Sequence, residues 1–135
     1  MSDSDWHRCL HSVDKLAALY SPLPALEQCK LMYVHIDERE DSVTLGFSTQ
    51  AMPTNPPPEW MGTEFNTVEF YVRCSQVAEL KVAGWDSTQA MHVEFSRDAQ
   101  GWTRIGLGAS GSGIAFRSPS VIVTKTRSYL ATAAP

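Results

Sequence analysis

Long apolar runs are missing from this 135-residue chain. No stretch approaches the ~20 residues that a membrane-spanning helix needs, so no membrane partner is expected. Residues 1–12 carry acids and no extended apolar core, unlike a secretory signal. Cysteine is scarce. Cys9, Cys29 and Cys74 stand at no metal-binding spacing, and an odd number without a signal suits a reducing cytoplasm better than a disulfide framework. The expected location is cytoplasmic. Basic charge is short as well. A net charge of −4 argues against nucleic acid, whose binders carry basic patches. Acids are lacking at one end: all 15 fall within residues 1–98, while Arg104, Arg117, Lys125 and Arg127 lie beyond them. Either strands of opposite charge neighbour each other in one sheet, or an acidic pole faces a basic partner.

What remains is ordinary for one globular domain over residues 1–135. The composition is 43% hydrophobic and 19% charged. A chain of this length buries roughly two-thirds of its unfolded surface and needs no metal or disulfide to fold.

The stretch Glu64–Trp85 has the clearest pattern. Val68, Phe70, Val72 and Cys74 alternate with Thr67, Glu69, Tyr71 and Arg73, as in a half-buried antiparallel strand. After Ser75-Gln76 the alternation resumes with Ala78, Leu80 and Val82, which predicts a hairpin. Asp3 or Ser4 can cap a helix running to about Tyr20, with Trp6, Leu10, Val13, Leu16, Ala17 and Tyr20 as its apolar stripe. Pro22 and Pro24 stop it. A strand over Leu26–Asp37 slips phase at Met32-Tyr33, as a β-bulge does. Asp37–Asp41 is a charged hairpin turn before Val43, Leu45 and Phe47. Residues 52–63 form a long loop stiffened by Pro56, Pro57 and Pro58. Further strands carry Met91, Val93 and Phe95, then Thr103, Ile105 and Leu107, then Ile114 and Phe116, then Val121–Val123. The fold class expected is mostly β (α+β): about eight strands in a curved antiparallel sheet or partial barrel, with an N-terminal helix packed on it.

No chemical motif stands. Gly106–Gly111 spells G-x-G-x-x-G, but Pro119 comes too soon for a crossover helix and no acid follows, so it reads as a strand connection. His7 and His11 share a helical face without a third ligand. Cys74 points inward and His92 outward, so they form no nucleophile–base pair. No catalytic set, metal or cofactor is expected. Trp60, on the stiffened loop, and Trp85, after Gly84, either plug the end of the sheet or serve as interface anchors.

These landmarks together resemble the immunity protein 50 family of bacterial polymorphic toxin systems. The resemblance covers roughly residues 6–110. It runs from Leu19-Tyr20, Pro24 and Leu26 through Pro57-Pro58 and Trp60 to Asn66-Thr67-Val68, Val77-Leu80 and Gly84-Trp85. It implies a small, mostly β, non-enzymatic protein that binds and neutralises a cognate toxin protein. An acidic inhibitor surface matches the basic cleft of a toxin that attacks nucleic acid. The residues expected to meet the toxin are therefore Glu38, Glu40 and Asp41 of the turn, Glu59, Trp60 and Glu64 if the long loop folds toward it, and Trp85 with Asp86. The alternative is a carrier of a small apolar ligand, enclosed by Phe47, Phe70, Val72 and Phe95. A hydrolase or isomerase would need a polar interior, and the inward positions are apolar.

Overall fold

The computed structural model describes residues 3–84, 92–108 and 113–131. Among the described residues the strands are β1 (Cys29–Asp37), β2 (Ser42–Thr49), β3 (Thr67–Ser75), β4 (Ala78–Ala83), β5 (Val93–Arg97), β6 (Thr103–Leu107), β7 (Gly113–Ser118) and β8 (Ser120–Tyr129). They form two four-stranded sheets, β1-β2-β3-β8 and β4-β7-β6-β5, and every paired neighbour is antiparallel. The expected mostly-β antiparallel architecture is present. The single curved sheet or partial barrel is not: there are two sheets, and neither closes.

The inner face of the first sheet follows from the alternation. Val43, Leu45, Phe47, Val68, Phe70, Val72 and Cys74 are all fully buried. From the second sheet Phe95, Ile105, Leu107, Ile114 and Phe116 join the same hydrophobic cluster. The bulge foreseen at Met32-Tyr33 is a register shift between Leu31 and Tyr33. Of the Gly106–Gly111 stretch, Gly106 and Leu107 close β6 opposite Ala115 and Ile114 of β7, and residues 109–111 lie outside the described residues.

The predicted hairpin over Glu64–Trp85 does not form. Both edges of β3 are occupied, by β2 and by β8, so β4 has no edge to pair with there. Instead the β3–β8 ribbon turns a corner and continues as β4–β7. Ser75 faces Ser120 before the corner and Ala78 faces Arg117 after it, in unbroken register. Strands that switch sheets at a bend make the corners of packed sheets. Gln76 bends one strand with a φ of 52°. Pro119, without an N–H to offer a ladder, breaks the other. The Ser118 hydroxyl donates to the Ser75 carbonyl at 2.6 Å and clamps the two. Beyond the corner β4 lies on an edge. The alternation through Leu80 and Val82 implies a core-facing side, but the two are 39% and 54% exposed, and Val93 is only half-buried.

The N-terminal helix to Tyr20 is also corrected. Asp3–Cys9 is a 3-10 helix, and α1 is a single turn, Asp14–Ala17. Between them the chain runs extended beside β8: the His11 N–H donates to the Val121 carbonyl at 2.7 Å, and the Val123 N–H donates to the Ser12 carbonyl at 3.0 Å. Ser12 forms a parallel bridge with Ile122. Continuing the helix would forfeit these bonds and leave the free edge of β8 open. The predicted stripe is nevertheless apolar and inward, since Trp6, Leu10, Leu16 and Tyr20 are buried.

Candidate partner-binding surface

The geometry first removes two kinds of site. Phe47, Phe70, Val72 and Phe95 do not enclose a ligand pocket. The Trp6 indole fills the space among them, with ring centroids 6.5 Å from Phe47, 6.0 Å from Phe70 and 5.7 Å from Phe95. Nor do Cys74 and His92 converge. Burial pushes the Cys74 thiol up to about 12, so it stays protonated inside the first sheet. His92 lies in the open before β5, paired with Glu94 at 3.0 Å. His11 is a structural tie: its Nδ1 accepts the Val121 N–H at 3.0 Å, which leaves Nε2 to bond the Gly101 carbonyl at 3.1 Å. Among the described residues no three His, Cys, Asp or Glu side chains gather as metal ligands.

Surfaces remain. The turn between β1 and β2 projects Glu38, Glu40 and Asp41 into solvent. It is well ordered for so charged a tip. Asp37 Oδ1 accepts the Arg39 N–H at 3.0 Å, and the Asp41 carbonyl accepts the Val77 N–H at 2.8 Å. Glu40 meets Arg73 of β3 at 2.5 Å.

The long loop lies elsewhere. It leaves β2 at Thr49 and enters β3 at Thr67, whereas the acidic tip sits at the other ends of these strands. Strands of this length run roughly 27 Å. Glu59, Trp60 and Glu64 thus occupy the end of the sheet opposite the tip, and the two groups form no single patch. The loop is fastened where it is: the Asn55 N–H donates to the Leu19 carbonyl at 3.0 Å, and the Tyr20 hydroxyl donates to the Ala51 carbonyl at 2.7 Å. Trp60 is half-buried, edge-on to Phe65 at 5.7 Å. Glu59 and Glu64 are exposed. Trp85 and Asp86 lie outside the described residues.

Sequence reasoning missed the outer face of the first sheet. Register sets Tyr33, Gly46, Tyr71 and Lys125 side by side across all four strands. The two tyrosine rings meet edge to face, with centroids 6.0 Å apart at 81°. They can do so because position 46 is glycine. A Cβ there would stand 2.8 Å from the Tyr33 Cβ and 2.9 Å from the Tyr71 ring. The Tyr33 hydroxyl bonds His35 Nδ1 at 3.1 Å, and the Tyr71 hydroxyl donates to Glu69 at 3.4 Å. Glu69 is held in turn by Arg127 at 2.5 Å. Partial desolvation and the Glu69 charge push the Tyr71 phenol above its ordinary value, so it remains a neutral donor. One signal was in the sequence: a lone glycine inside a strand marks a close approach over its backbone.

Three of the four cations at the acid-free end, Arg104, Arg117 and Arg127, are paired with carboxylates. Arg127 meets Glu69, and Arg117 meets Asp98 at 3.3 Å and Glu79 at 3.4 Å. Arg117 also lies 4.1 Å above the Trp102 ring. Opposite charges on neighbouring strands account for the asymmetry.

The family model for immunity protein 50 matches residues 13–129, most of the chain. No match is found among curated proteins or among solved structures.

Proposed function

The chain belongs to the immunity protein 50 family, and we propose on that footing that it neutralises a cognate toxin domain by binding it. In this reading the protein is no enzyme. It acts in the cytosol of the cell that makes the toxin, and its work is to cover a surface. The family match carries the reading. The filled interior, the inert Cys74 and the exposure of His11, His35 and His92 are compatible with it.

In the same proposal the acidic tip with Glu38, Glu40 and Asp41 steers a basic toxin surface into contact. Glu59, Trp60 and Glu64 offer a second contact at the far end of the sheet, and Trp85 with Asp86 a third.

The test is to sequence the genes on either side of this one and to co-express the chain with the C-terminal domain of a large protein that they encode. Cells carrying that domain alone should stop growing, and cells carrying both should grow. Growth arrest that this chain leaves untouched would end the reading.

A further inference from the structure

We propose that the outer face of the first sheet, centred on Tyr33 and Tyr71, is where the toxin domain docks; this rests on the reading above. Charge steering gives speed more than affinity, so the acidic tip needs an anchor near it. Trp60 is at the wrong end. The tyrosine row is not: Arg73 neighbours Tyr71 on the outer side of β3 and is ion-paired to Glu40 of the tip. Tip and row are one continuous surface.

The row has the properties of an anchor. Tyr33 is 44% exposed, yet its ring packs edge to face on Tyr71 and its hydroxyl bonds His35. A rigid tyrosine loses little freedom when a partner covers it. Lys125 stands beside Tyr71, its ammonium 5.7 Å from that ring's centroid. Among the described residues it has no carboxylate partner. The outer face of the second sheet differs. Its guanidinium groups are spent internally, with Arg117 on Glu79 and Asp98 and Arg104 on Asp98. Extent agrees too. The first sheet is roughly 14 by 27 Å, below the ~800 Å² per partner of a standard interface, so the tip belongs to the footprint.

The charges define the partner. A toxin domain fitting this face presents bases opposite Glu38, Glu40 and Asp41, an apolar or planar ridge over the tyrosine rings, and a carboxylate opposite Lys125.

The experiment measures binding of the neighbouring-gene toxin domain, inactivated by mutation, to Tyr33→Ala, Lys125→Glu and Lys81→Glu, the last on the second sheet. Each variant is first melted to show that it folds. Tyr33→Ala and Lys125→Glu should each weaken binding roughly tenfold or more, mainly through faster dissociation, and Lys81→Glu should bind as wild type. If Tyr33→Ala fails to fold, Lys125→Glu decides alone. Wild-type affinity in both first-sheet variants, or loss confined to Lys81→Glu, would overturn the proposal. So would a dimer of the free protein that Tyr33→Ala dissociates, since a second copy would then occupy the face. A wild-type chain that does not bind the domain removes the immunity reading and this docking face with it.

Discussion

Trp6 lies between the aromatic side chains of both sheets. Its ring touches Phe47 and Phe70 of the first sheet and Phe95 of the second, and its Nε1–H donates to the buried Pro24 carbonyl at 2.9 Å. A core built this way fails from its centre. Trp6→Ala leaves a cavity bordered by three rings and an unsatisfied carbonyl, and should cost about 3–5 kcal/mol in urea unfolding. Trp6→Phe retains most of the contact and should cost clearly less. A loss under about 1 kcal/mol for Trp6→Ala would show that the two sheets hold together without it. The inward positions of β2 and β3 were legible as residues, because a period of two has only two faces to choose between. Trp6 was legible as apolar and helical, but not as the joint between two sheets. That role depends on which strands end up facing one another, and periodicity carries no such information.

At the scale of elements, the error over Glu64–Trp85 is instructive. Local pattern saw two strands and a short turn, and β3 and β4 are indeed two strands. Pairing is decided by which edges are free, and β3 has none left once β2 and β8 are in place. The sequence did mark the corner: Pro119 interrupts the apolar run between Phe116 and Val121. That break can be read as a switch of sheets only when its partner at Gln76 is known. The consequence is measurable on β4. Leu80 continues the apolar alternation yet is exposed at an edge, so Leu80→Ser should lower the free energy of urea unfolding by less than about 1 kcal/mol. Leu45→Ala, fully buried in β2, should cost about 2–5 kcal/mol. Comparable losses for the two would return Leu80 to the core. The N-terminal segment teaches the same lesson. Its stripe has helical spacing, yet bonds to the edge of β8 outweigh continued helix between Leu10 and Asp14.

For the whole molecule, charge and shape separate two steps of binding. The net charge is −4, the acid-free end of the chain is largely neutralised within the sheets, and the tip carries Glu38 and Asp41 in the open beside the Glu40–Arg73 pair. Acids there act at the range of the Debye length, about 8 Å at physiological ionic strength. The tyrosine row acts only on contact. Replacing Glu38 and Glu40 by Gln and Asp41 by Asn removes the charge and retains the shape. Asn also tolerates the left-handed backbone at position 41, whose φ is 50°. Stability should barely change, because the Glu40–Arg73 pair is exposed on both sides and such pairs contribute little. Association with a basic toxin domain should slow several-fold at low salt and converge on the wild-type rate as salt rises, while dissociation changes less. Lys125→Glu should show the opposite division, with dissociation faster at every salt concentration. Stopped-flow traces across a salt series distinguish the two. A triple variant that associates at the wild-type rate in low salt would mean that encounter is guided by another face, and the tip would then be solvent decoration.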